Sequence, residues 1–199
     1  TVMRAEDAAT LYGVVLIIVL GSMAWSLLQD DPLVNAGVRV GWLLATPIYV
    51  GGTLSAVAMV RDFDPTGAWV LLTMVLAWGS DTAAYFVGRK FGKTKLAPRI
   101  SPKKTLEGSA GGLAAAVVGS LIMSFFLPSM SPIDAIALGM IGGAAGQAGD
   151  LLISVLKRSS GVKDSGGILP GHGGILDRVD ALAFTAPATW AYGHFILGF

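Results

Sequence analysis

Six long apolar runs alternate with shorter polar stretches along the chain, at about residues 10–28, 36–60, 67–88, 108–127, 133–156 and 178–199. Each is long enough, or nearly so, to cross a hydrocarbon core about 30 Å thick, which takes about 20 helical residues. The runs are continuous and lack the apolar–polar alternation of membrane barrel strands, so the pattern predicts helices. The expected fold is all-α: a polytopic transmembrane helical bundle of about six spans. Small residues recur inside it, at Gly111, Gly112, Gly119, Gly139, Gly142, Gly143, Gly146 and Gly149, and such faces let helix backbones approach closely in lipid.

Composition points the same way. Of 199 residues, 53% are hydrophobic and 14% charged, against about 25% charged in soluble domains. A net charge of +1 leaves no bulk basic excess of the kind that marks a nucleic-acid binder. With no cysteine, disulfides and thiolate metal sites are excluded, and only oxygen and imidazole ligands remain. No charged segment with a cleavage site precedes the first apolar run, so no signal peptide is expected. The start at Thr1 without methionine reads as an N-terminal truncation.

The cations are unevenly placed. With six alternating spans, one side receives Arg39, then Arg89, Lys90, Lys93, Lys95, Arg99, Lys103 and Lys104, then Lys157, Arg158, Lys163 and Arg178, while the other keeps Arg4 and Arg61. The positive-inside rule makes the two polar loops, 89–107 and 157–177, cytoplasmic.

Segment 89–107 holds seven cations among nineteen residues, broken by Pro98, Pro102 and Gly92, and reads as a loop. It suits either a topology-setting patch against anionic headgroups or a polyphosphate clamp. Ser101-Pro102-Lys103-Lys104-Thr105 favours the clamp, because Pro102 restrains the backbone beside two lysines and two hydroxyls, and prearranged donors lose less entropy on binding. Just upstream, Asp81 lies inside the third apolar run, where a carboxylate is costly unless paired or wetted. Arg89, about two turns away on a similar face, could pair with it.

From Asp150 onward the polar positions are most informative. Helical spacing puts Asp150, Ser154 and Lys157 on one face. A glycine-rich stretch with Pro170, His172, Gly173 and Gly174 follows, and then Asp177 and Asp180 at i and i+3. Carboxylates brought to one depth from adjacent helices repel unless something positive lies between them. Mg²⁺ suits such a set, since it takes a few carboxylates plus water and phosphate oxygens. Sodium or proton coupling by the same groups and a structural network of Asp177, Arg178 and Asp180 are the alternatives. His172 fits a phosphate donor better than a Mg²⁺ ligand, and His194 reads as packing or interfacial.

Ser154-Val155-Leu156-Lys157-Arg158, Lys163-Asp164 and Leu169-Pro170-Gly171-His172-Gly173-Gly174-Ile175-Leu176-Asp177-Arg178-Val179-Asp180 resemble the hallmark motif of the phosphatidate cytidylyltransferases, or CDP-diacylglycerol synthases. The Asp81 region and the run from Ser101 to Gly108 are also similar, so the resemblance covers about 80–180. It implies transfer from CTP to phosphatidate, with Mg²⁺, at the cytoplasmic face of the inner membrane. It further implies that Asp150 and Asp177 bind metal, and that Lys157, Arg158 and His172 join them in catalysis. Asp81, Ser101, Lys103, Lys104, Thr105, Lys163, Asp164, Gly173, Gly174, Arg178 and Asp180 are then expected to contact substrate. The family generally carries further N-terminal spans, which frames 1–75 as N-terminal transmembrane helices and 76–199 as the catalytic region. A homodimer is compatible with the glycine-rich faces.

Overall fold

The computed structural model describes residues 5–29, 32–162, 165, 174 and 176–199. The chain forms two compact units, Thr1–Gly52 and Thr53–Phe199. The first contains α1 (Ala5–Leu27), a 3₁₀ turn (Leu33–Asn35) and the first part of α2 (Ala36–Arg61).

In the second unit, α2 ends at Arg61, whose guanidinium donates to the carbonyls of Asp64 and Pro65 at 2.6 and 2.8 Å. One continuous helical run, Ala68–Phe91, follows. It comprises α3 (Ala68–Met74), a π turn (Val75–Gly79) and α4 (Ser80–Phe91). After the hairpin of β1 (Lys95–Ala97) and β2 (Ser101–Thr105) come α5 (Leu106–Ser124) and α6 (Pro132–Ser159). Then come α7 (Leu176–Val179) and α8 (Leu182–Tyr192), the latter prolonged by a π turn (Gly193–Leu197).

Four of these helical runs, Ala36–Arg61, Ala68–Phe91, Leu106–Ser124 and Pro132–Ser159, are long and apolar enough to cross a membrane, and Tyr12–Leu27 is a shorter apolar helix. Large apolar side chains such as Ile17, Phe125 and Ile133 are 75%, 86% and 78% exposed. That exposure is favourable only when hydrocarbon is the solvent. The protein is an α-helical membrane protein.

The core of the second unit gathers Val60, Trp69, Leu72, Leu76, Ala116, Leu127, Met130 and Leu138. Close helix contact there depends on the glycines. A Cβ on Gly139 would stand 2.6 Å from Val117 Cα, and one on Gly149 would stand 2.7 Å from the Asp180 carbonyl. The expectation of small-residue packing in lipid is met on α6. At the end opposite the hairpin, Ser131 and Asp134 form a capping box on α6, and the Tyr192 hydroxyl donates to Asp134 at 2.8 Å. His194 stacks on Trp190 and contacts the Phe199 carbonyl at 2.7 Å, in keeping with a packing role.

One expectation is corrected: segment 89–107 is not an irregular loop. Arg89 and Lys90 finish α4, and the rest pairs as an antiparallel hairpin in register Lys95↔Thr105 and Ala97↔Ser101. Pro98 presets the first position of a turn closed by Ile100 N–H donating to the Ala97 carbonyl at 3.1 Å. Glu107, on the first turn of α5, accepts from the amides of Lys93 and Thr94, each at 3.1 Å. Charge density obscured this local pairing in the sequence.

Candidate functional site

The hairpin folds back over the ends of α4, α5 and α6 and closes a cavity of about 610 Å³. That lies inside the range of about 300–1,000 Å³ usual for small-molecule sites. Asp81, Tyr85 and Arg89 line it from α4, Lys95 and Leu96 from β1, and Ser101, Lys103, Lys104 and Thr105 from β2. Ser109 of α5, with Gln147 and Asp150 of α6, completes the lining.

Lys104 is ion-paired with Asp150, both half-buried. Lys104 is half-buried where it meets α6, whereas its neighbour Lys103 is exposed. Ser154, one turn along from Asp150, donates to it at 3.5 Å. Asp81 lies within electrostatic reach of Asp150 and Lys104, and Asp180 within reach of Asp150, Asp81 and Lys157. Arg89 donates to the Tyr85 hydroxyl at 3.4 Å, and the possible Asp81–Arg89 pair is not made.

A second cluster adjoins the first. Lys157 donates to Asp177 Oδ1 at 2.5 Å, and the pair is 15% and 10% exposed. The other oxygen accepts from the Ser165 amide at 2.8 Å, the Ser165 hydroxyl at 2.9 Å and the Gly174 amide at 3.0 Å. Burial alone would raise this carboxyl. The Lys157 ammonium and the three further donors outweigh it and hold Asp177 down at about 2. Asp177 thereby ties together Ser165 and Gly174, on either side of the glycine-rich stretch.

The predicted residues thus divide. Asp81, Ser101, Lys103, Lys104, Thr105 and Asp150 share the cavity, although Thr105 is buried and also caps α5 by accepting from Gly108 N–H at 3.1 Å. Lys157, Gly174 and Asp177 form the neighbouring cluster. Arg158 instead buttresses the hairpin, donating to the Ile100 carbonyl at 3.4 Å and the Val162 carbonyl at 3.2 Å. Arg178 offers its carbonyl to the Trp78 indole N–H at 3.2 Å, which ties α7 to the π turn. Asp180 is buried and accepts from the Ala181 amide at 2.7 Å. Lys163, Asp164, His172 and Gly173 lie outside the described residues.

Among the described residues, no three His, Cys, Asp or Glu side chains converge as a ready-made metal cage. Asp81 and Asp150 both line the cavity, and oxygen donors of this kind suit a hard cation that would draw its remaining ligands from phosphate and water. Asp150 and Asp177, the expected metal pair, are each ion-paired with a lysine of their own, Lys104 and Lys157. Asp150 and Lys157 are seven residues, about 10 Å, apart along α6. Ser109, Gln147, Lys95 and Ser165 were absent from the sequence-based set. A lone carboxamide at Gln147 within Gly142-Gly143-Ala144-Ala145-Gly146-Gln147-Ala148-Gly149 is the one visible signal for the first two.

A polytopic helical membrane protein that concentrates cations and carboxylates around one cavity defines a class suited to charged, phosphate-bearing substrates at a membrane surface. Comparison with known proteins gives the class its family: the chain belongs to the cytidylyltransferase family, which it matches over residues 2–196. It is 45% identical over 153 residues to the phosphatidate cytidylyltransferase of Bacillus subtilis, covering 75% of this chain and 56% of that protein. The Brucella suis phosphatidate cytidylyltransferase is 40% identical over 154 residues, covering 77% and 57%. That of Thermotoga maritima is 37% identical over 181 residues, covering 87% and 66%. The chain therefore spans little more than half the length of most of these relatives.

Proposed function

We propose that the chain transfers the cytidylyl group of CTP to phosphatidate, giving CDP-diacylglycerol and pyrophosphate for phospholipid synthesis, at the cytoplasmic face of a bacterial inner membrane. The observation that carries this reading is the cavity in which Arg89, Lys95, Lys103 and Lys104 meet the carboxylates of Asp81 and Asp150, in a chain of this family.

An ionised phosphate oxygen of the lipid attacks the α-phosphorus of CTP in line, a new P–O bond forms, and the bond to the departing pyrophosphate breaks. Such a reaction needs positioning and charge neutralisation more than covalent participation by the protein. Lys103 and Lys104 balance polyphosphate charge, and the hairpin holds them in place. No side-chain base is required, because a phosphate monoester with a second pKa of about 6 is largely dianionic at neutral pH. Mg²⁺ would be held by Asp150 and Asp177, and when bound it would add to the neutralisation of the phosphates.

The test is radiolabelled CTP with phosphatidate in detergent, with and without Mg²⁺. CDP-lipid and pyrophosphate are expected, abolished by EDTA and restored by Mg²⁺. Phosphorylated lipid with CDP would indicate a CTP-dependent lipid kinase. No CTP consumption, with solute flux in sealed vesicles, would indicate an ion-coupled transporter.

A further inference from the structure

The cavity is charged at one end and neutral but polar at the other. Lys95 and Lys103 are exposed, whereas Ser109 and Gln147 are half-buried. Gln147 precedes Asp150 by three residues on α6, about 4.5 Å farther from the charged end of that helix. Its carboxamide is held by one residue through both of its atoms: Nε2 donates to the Ser109 carbonyl at 2.9 Å, and Oε1 accepts from the Ser109 hydroxyl. A main-chain carbonyl can only accept, so the carboxamide cannot turn over without losing that bond. Gly112 leaves room for it, since a Cβ there would stand 3.0 Å from Nε2.

A carboxamide has two N–H donors and two acceptor lone pairs. Ser109 uses one of each, which leaves one oriented N–H and one lone pair on Gln147, together with the lone pairs of the Ser109 hydroxyl. An acyl chain placed there would desolvate these groups without replacing their hydrogen bonds, which is unfavourable. A phosphate would find its counter-charges at the other end. A molecule that is polyanionic at one end and a neutral hydrogen-bonding ring at the other matches both ends.

We propose that Ser109 and Gln147 form the subsite for the nucleoside half of the nucleotide and that they discriminate the pyrimidine edge. This rests on the reading of the cavity as a CTP site. The Gln147 N–H meets a ring acceptor of cytosine, and the Ser109 and Gln147 oxygens meet its exocyclic amine. Uracil presents an acceptor in place of that amine, leaving buried polar groups unpaired, and a hydrogen-bonding site rejects such a mismatch strongly.

The experiment measures Mg²⁺-supported binding of CTP and UTP by the full chain in detergent without lipid, followed by KM for CTP and for phosphatidate. The variants are Gln147→Ala, Ser109→Ala and Ser109→Thr. Ser109→Ala keeps the main-chain bond between α5 and α6, so it tests the hydroxyl without releasing the helices. Expected are CTP binding weakened about tenfold or more in both alanine variants, a narrowed CTP-over-UTP preference, a phosphatidate KM within about twofold of the parent, and recovery in Ser109→Thr. Equal losses for CTP and UTP, or a change in phosphatidate KM alone, would overturn the subsite. So would unchanged CTP binding in the variants while the parent binds CTP. A parent that binds no CTP would overturn the function itself.

Discussion

Asp177 shows how much one side chain can organise. Four donors converge on its two oxygens, and one of them is the ammonium of Lys157. Replacing it by Asn keeps the shape but removes the charge, leaves Lys157 without a counter-charge and turns part of the acceptor set into donors. Asp177→Asn is expected to lose CTP-dependent activity by about 100-fold or more while still inserting and purifying normally. Retention of most activity would remove Asp177 from the proposed metal ligands. The pH dependence follows from its depressed pKa, about 2 against an ordinary 3.8. The carboxylate's stabilisation is fully present above about pH 4 and is lost as pH falls through about 2. In thermal unfolding, the gap between parent and Asp177→Asn should be widest at neutral pH and should close on acidification from about 4 to 2.

At the scale of elements, the hairpin and the glycine face of α6 position the site. Glu107 holds the hairpin by accepting two main-chain amides that precede β1. Glu107→Ala should raise hydrogen exchange across 93–105 and raise the KM for CTP several-fold, with little change in global unfolding temperature, because the hairpin contributes little to the core. Gly149 does the opposite work: it lets α6 touch the Asp180 carbonyl and the Phe184 ring. Gly149→Val forces those elements apart at a cost of about 1–3 kcal/mol. It is expected to lower Tm by about 2–4 °C for each kcal/mol lost.

For the whole molecule, the second unit has two distinct ends. The hairpin and the end of α6 meet through Arg158 and Ile100 at one. At the other, Phe63 stacks on Phe199 and Trp69 meets both rings edge to face. Because the chain has no cysteine, single substitutions report sidedness without background. Arg99→Cys and Ser160→Cys should react with a membrane-impermeant maleimide from the cytoplasmic side, and Asp64→Cys from the opposite side. Labelling of Arg99→Cys and Asp64→Cys from the same side would overturn the alternating topology.

The division between sequence and structure follows the range of the forces involved. That the chain lives in a membrane, that its backbone is helical and that α6 packs through glycines were all legible in the sequence, which also singled out Asp150, Lys157 and Asp177 as candidate site residues. Hydropathy, helical period and charge placement are local properties, and lipid forces each spanning segment to satisfy its own backbone. The hairpin was hidden because strand pairing between Lys95 and Thr105 depends on Glu107 and a turn at Pro98, not on hydropathy. Only the tertiary structure decided which lysine meets which carboxylate, since Lys104 and Asp150 are 46 residues apart and Lys157 and Asp177 are 20 apart. It alone brought Ser109 to Gln147, because a single carboxamide in an apolar run does not identify its partner until two helices are packed.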